Sequence, residues 1–205
     1  MSRALFHARQ RGLAAVEFAL LLPILLMLLF GMIDAARALQ ANIIITNISR
    51  EGANLVARGN TQLETGSQDI IYALMASAPP LNVNQQGMMY ITRVMGVVKN
   101  GVSSSVVLDQ YRWDDSERSL GFGTNSYKPT SKVYNCATWS SAGKCTGFSS
   151  SSRPGVDLMK GKLDDGEVVH VVETFYRYDM LLTSAATGVL SLPTIGPDLY
   201  SMTVF

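Results

Sequence analysis

Arg11-Gly12-Leu13-Ala14-Ala15-Val16-Glu17-Phe18, continued by the apolar run Ala19 to Ile33, decides how the 205-residue chain is read. Between Leu13 and Ile33 Glu17 is the only charged residue. At about 1.5 Å per helical residue such a run reaches the roughly 30 Å of a bilayer core, so residues 13–33 are expected to form a transmembrane helix with one carboxylate at its mouth. Pro23 removes a helical hydrogen bond inside that run, and a bend just before it is expected. Upstream, Arg3, Arg9 and Arg11 stand with no acid among them, whereas Asp34 and Arg37 roughly cancel on the far side. The positive-inside rule then keeps residues 1–12 in the cytoplasm as a basic leader and places residues 34–205 outside it.

Working outward, the helical period continues from Ala35 to Arg58. Ile44, Ile45, Ile48, Gly52, Leu55 and Val56 fall on one side, while Asn42, Thr46, Asn47, Arg50, Glu51, Asn54 and Arg58 take the other, with Ile43 the exception. The stripe needs a cover, and Gly59-Asn60-Thr61 is the expected stop. A shorter helix is expected from Gln68 to Ala78, with Ser67 as its cap and Ile70, Ile71, Leu74 and Ala78 on one face before Pro79-Pro80. The period then changes. Met88 to Val98 is rich in β-formers, Lys99-Asn100-Gly101 is a hairpin turn, and Val102 to Trp113 is the return strand. Residues 114–163, with Gly121, Gly123, Gly143 and the serine run 149–152, read as a long irregular surface excursion. Asp164-Asp165-Gly166 turns the chain into Glu167 to Tyr178, the clearest alternating strand, and Tyr200 to Phe205 adds a terminal one. The expected class is α+β: a long N-terminal helix, transmembrane then amphipathic, with a small antiparallel sheet against its outer half, in a single-pass, pilin-like membrane protein.

The formal net charge of +1 and the lack of interleaved basic and aromatic residues argue against a nucleic-acid partner. Cys136 and Cys145, with eight residues between them in a Gly/Ser-rich stretch, lie in the part expected outside the cytoplasm, and a disulfide is expected. Two cysteines and the lone distal His170 do not make a zinc site. No serine sits in a Gly-x-Ser-x-Gly elbow, and only His170 is available outside the cytoplasm, so no catalytic triad can be assembled. Asp164, Asp165 and Glu167 lack the spaced oxygen ligands of a calcium loop and read as a turn. Neither metal nor cofactor is expected, and the chain does not read as an enzyme.

The run from Arg11 to Leu20, then Pro23, Gly31, Arg37 and the segment Arg50-Glu51-Gly52-Ala53, resembles the TadE-like family, pseudopilins of the tight-adherence (Tad/Flp) type IV pilus systems. Val171 to Tyr178 is similar to the late strand of such proteins, while residues 100–165 match nothing in the pattern. The resemblance leaves the TadE and TadF branches open and argues against the larger TadG type, since no Asp-x-Ser-x-Ser signature occurs. It implies a prepilin peptidase cut between Gly12 and Leu13, with Glu17 then fifth in the mature chain and Phe18 the aromatic after it. It also implies partners: other Tad pseudopilins, the major Flp pilin, the inner-membrane assembly platform and the peptidase itself. The implied place is the bacterial inner membrane, with the N-terminus cytoplasmic and residues 34–205 periplasmic or pilus-associated.

Glu17 has a physical role beside that resemblance. A carboxylate at the edge of hydrocarbon is costly when unpaired, and a cut after Gly12 creates an α-ammonium four residues away that pairs with it, within the chain or between subunits. Two other readings stay open. Ala36-Arg37-Ala38 after an apolar run is a signal-peptidase pattern, which would release a secreted protein beginning at Leu39. Alternatively residues 1–33 are a passive anchor for an adhesin-like binding domain, whose contact surface is the Cys136–Cys145 excursion.

Overall fold

From Arg3 to Arg58 the backbone is one α-helix, α1, which runs through both the basic leader and Pro23. The structure, a computed structural model, describes residues 3–58, 71, 73, 74, 78–113, 127–181 and 198–205, with the side chains of α1 described from Ala14 to Val56. The expected stop at Gly59-Asn60-Thr61, most of the helix expected over Gln68 to Ala78 with its cap Ser67, and residues 114–126 lie outside the described residues. Of that second helix, Ile71, Ala73 and Leu74 are helical, and Ile71, Leu74 and Ala78 are buried as the pattern requires.

The chain forms two compact units, one of residues 1–40 with 179–196 and one of residues 41–178 with 197–205. In the first, the helix presents an apolar surface: among the described residues, every one from Ala14 to Ile33 is exposed. An all-round apolar surface of this length suits lipid rather than water, and among the described residues this is the one helix long and apolar enough to cross a membrane. The exposed run ends at Asp34, which is buried and whose Oδ1 accepts the Leu181 N–H at 2.9 Å. The acid that closes the apolar run thus satisfies a backbone donor of the same unit.

The second unit is built on an antiparallel sheet of four strands: β1 (Gly87–Lys99), β2 (Val102–Arg112), β3 (Val168–Arg177) and β4 (Asp198–Val204), in the order β2-β1-β3-β4. Asn100 and Gly101 close the β1–β2 hairpin with φ of 52° and 78°, the pair of positive values that a two-residue turn matched to strand twist demands. An extra residue, Leu108, enters β2 between the pairs Val94↔Val107 and Arg93↔Asp109, and the Arg93–Asp109 ion pair at 2.7 Å lies beside that bulge.

One sheet face carries the outer half of α1. Its buried residues are Ala41, Ile45, Ile48, Ser49, Gly52, Ala53 and Val56, a stripe at helical spacing. This corrects the expected face at its margins: Leu55 is exposed, Ile44 is only half-buried, and three small residues take their places. Small residues face the sheet because the helix lies close to it. A Cβ on Gly52 would stand 2.9 Å from Leu74 Cδ1 and 3.4 Å from Val172 Cγ1, and Ser49 Oγ donates to the Val172 carbonyl at 3.1 Å.

The other face is covered by the excursion, and here the expectation of a surface loop fails. Val133, Val156, Met159 and Leu163 are buried with Val94, Val107, Val169 and Val171 in a second apolar cluster. The segment is irregular yet pinned to the free edge of β2: Val107 N–H donates to Pro154 O and Val156 N–H to Ser105 O, while Cys145 N–H donates to Gln110 O and Arg112 N–H to Gly143 O. An edge that would otherwise invite foreign strands is thereby occupied.

Candidate functional site

Two places carry chemistry. The first is the mouth of the apolar helix. Gly12 and Leu13 are helical in backbone, and Glu17 and Phe18 project from the exposed surface of α1, Phe18 at 60% exposure. Leu13 and Glu17 are one helical turn apart, about 6 Å along the axis, so a free amino group at Leu13 would stand on the Glu17 side of the helix. Were the helix to begin at Leu13, Glu17 would also lie at the positive end of its macrodipole, where a carboxylate is stabilised. Glu17 meets an apolar surrounding of Val16, Phe18, Leu20 and Leu21, all exposed.

The second place is the buried polar row beneath the excursion, which sequence reasoning missed. On β3, Glu173 is fully buried, and three donors converge on its carboxylate: the Ser131 hydroxyl, Lys132 N–H at 2.9 Å and Tyr200 OH at 3.0 Å. The Lys132 ammonium sits 3.7 Å from the Tyr200 ring centre. Gln110 Nε2 lies within 3.2 Å of Thr92 Oγ1, Ser131 Oγ and Tyr134 O, so the row continues across the sheet. A charge is tolerated in a core when its lone pairs are filled in this way. The only signal in the sequence was Glu173 among the apolar residues of its strand. Burial, with the Glu173 charge adding to it and the Arg112 charge opposing it, pushes the Tyr90 hydroxyl up to about 12. Tyr200 is also raised, chiefly by burial and then by Glu173. His170, paired with Arg93 on the opposite sheet face, is lowered by burial and by that guanidinium. It is kept from Ser131 and Glu173 by the sheet, so the serine, histidine and acid do not meet.

Above the row lies a half-open cleft of about 160 Å³, lined by Tyr90, Arg112, Lys128, Ser131, Asn135 and Trp139 among others. The Arg112 guanidinium stacks 4.7 Å from the Trp139 ring centre. Tyr90 packs edge-on against Phe175, with ring centroids 5.8 Å apart, and its hydroxyl donates to Pro129 O. One wall is the Cys136–Cys145 loop, joined by a disulfide with Cα atoms 6.0 Å apart. Removing that bond by Cys136→Ser with Cys145→Ser is expected to cost about 2–3 kcal/mol by loop-closure entropy, read as a lower midpoint in denaturant. An unchanged midpoint would mean that the contacts with β2 hold the loop by themselves. At the far end of the sheet Asp165 Oδ1 accepts the Val98 N–H at 2.8 Å and Glu167 Oε2 the Asp164 N–H at 2.8 Å, so these two carboxylates serve the turn.

No curated protein and no solved structure matches the chain. The family model described as TadE-like protein matches residues 12–54, from the glycine before the apolar run to the helical turns packed on the sheet. Over residues 12–54 the N-terminal helix of this chain is similar to that of the TadE-like family.

Proposed function

We propose that the chain is a minor pilin or pseudopilin of a Tad (Flp) type IV pilus system. In this reading a prepilin peptidase cuts between Gly12 and Leu13, residues 13–33 hold the protein in the inner membrane, and the sheet unit lies in the periplasm. The protein then acts in pilus initiation or assembly with other pseudopilins and the major pilin. Its role is structural and not catalytic. The observation that carries the reading is α1 itself, an unbroken helix whose residues 13–33 offer lipid or another helix an apolar surface with Glu17 as the only charge, inside the segment matched by the family.

Glu17 sets the register of assembly. In the apolar setting of a helix bundle its carboxylate is stabilised only by a counter-charge, and the new α-ammonium of Leu13, on its own or a neighbouring chain, supplies one. Glu17→Ala is expected to leave membrane insertion intact, because it makes the span more apolar, and to abolish co-isolation of partner pilins from detergent extracts. Co-isolation at the level of the unaltered chain would count against the pairing.

A further inference from the structure

We propose that the outer edge of β4 takes up an extended segment of a partner polypeptide, which joins the sheet as an antiparallel strand and sets an acidic side chain beside Lys132. Phe205 and His170 exchange both backbone hydrogen bonds, at 2.7 and 2.9 Å. The register runs unbroken from there to Arg177↔Asp198, so Leu199, Ser201 and Thr203 also turn their backbone groups to β3. Asp198, Tyr200, Met202 and Val204 therefore turn theirs outward, and among the described residues no hydrogen bond reaches those groups. The edge is undefended: β4 carries no proline, no lysine and no bulge, and its one charge is Asp198 at the start. The opposite edge of the sheet, on β2, is filled by the excursion. Outward N–H and C=O groups that repeat about every 6.8 Å are complementary to one class of ligand, another extended backbone.

The side chains along the edge set what that segment carries. Tyr200, whose hydroxyl donates to Glu173, shares the excursion side of the sheet with Met202 and Val204, both exposed. Thr203, 3.0 Å from Ser49 Oγ, shares the α1 side with Ser201. Lys132 is exposed, its ammonium lies 3.7 Å from the Tyr200 ring centre, and among the described residues no ion pair engages it. A partner residue opposite Tyr200 thus meets a positive charge, and those opposite Met202 and Val204 meet apolar surface. In antiparallel order the fitting sequence is apolar-Thr-apolar-Thr-acid. A second copy of β4 fits less well: paired along its full length it sets Met202 against Tyr200 and Asp198 against Val204, so no acid reaches Lys132. The edge belongs to the sheet unit, and binding there does not rest on processing at Gly12 or on the pilin reading.

The test uses the full, isotope-labelled chain in detergent micelles, the blocked peptide Val-Thr-Val-Thr-Glu, and amide hydrogen exchange along β4 as the readout. In the chain alone the amides of Tyr200, Met202 and Val204 are expected to exchange fast, and those of Leu199, Ser201 and Thr203 slowly. Saturating peptide should slow the first three by about tenfold or more. N-methylation of the central valine, opposite Met202, removes a ladder donor and should weaken binding by about tenfold. N-methylation of a threonine, whose N–H points away from β4, should change it by less than about twofold. Glutamine in place of the peptide's glutamate, or Lys132→Gln in the protein, should weaken binding about threefold. The Lys132→Gln change keeps the backbone bond from residue 132 to Glu173, so the fold is retained. Exchange unaltered by excess peptide, equal binding of the two methylated peptides, or equal binding of the glutamate and glutamine peptides would overturn the proposal. Slow exchange of the three outward amides in the chain alone would also overturn it, and a dimer in sedimentation would then assign the edge to a second copy.

Discussion

Glu173→Ala is expected to destabilise the sheet unit by about 3–5 kcal/mol, the cost of breaking a buried, hydrogen-bonded charge cluster. The substitution strands the Ser131 hydroxyl, Lys132 N–H and Tyr200 OH, each a donor that now ends on the carboxylate, and empties the volume between the excursion and β4. Each unsatisfied buried donor costs about 1–3 kcal/mol, and water entering the space recovers part of it. Thermal unfolding in detergent, followed by tryptophan fluorescence, should show a midpoint lower by roughly 10 °C. Glu173→Gln separates charge from shape. It keeps one acceptor oxygen but turns an NH2 toward a donor, so it should fall between the parent and Glu173→Ala. A midpoint shift under 2 °C for Glu173→Ala would mean that the network holds the excursion without its acid, contrary to the geometry.

Gly96→Ala is the second large effect, expected at about 3 kcal/mol or more through overpacking against backbone. A Cβ at Gly96 would stand 2.1 Å from the Asp164 carbonyl oxygen and 2.8 Å from Leu163 Cβ. The turn cannot easily retreat, since Gly96 N–H donates to Glu167 O at 2.8 Å and Gly166 N–H to Gly96 O at 2.9 Å. Gly101→Ala is the comparison. Gly101 has φ of +78° with nothing within 4 Å of its missing Cβ, so the penalty there is backbone strain alone, about 1 kcal/mol. Equal midpoints for the two variants would refute the close approach at Gly96.

What the sequence disclosed follows from how local each cause is. The hairpin was legible because Asn100-Gly101 carries its own backbone preference, and β3 because alternation from Val168 to Arg177 is a property of ten consecutive residues. The helix face was legible where it is greasy, at Ile45, Ile48 and Val56. It was missed where small residues decide, because apolar period does not register that Ser49 is buried through a hydrogen bond to Val172 O or that Ala41 and Ala53 permit close approach. Residues 127–163 were illegible as order. Their structure comes from backbone pairing with a strand edge far away in sequence, and neither Glu173 nor Gln110 announces the serine, lysine and tyrosine that will satisfy it. The cleft shares that origin, since Arg112, Lys128 and Trp139 meet only after the excursion has folded back on β2. The proposed processing signal is the reverse case, a linear pattern around Gly12, Glu17 and Phe18 that is carried by neighbouring residues and needs no fold to be read in the sequence.

The central claim is that the N-terminal helix is a processed pilin helix, and the most direct measurement is the mass of the mature N-terminal peptide from protein isolated from membranes of the native cell. A chain beginning at Leu13 is the predicted result, with Glu17 fifth. A chain beginning at Leu39, or one retaining Met1 or Ser2, would contradict it, the first pointing to a secreted protein and the second to a passive anchor.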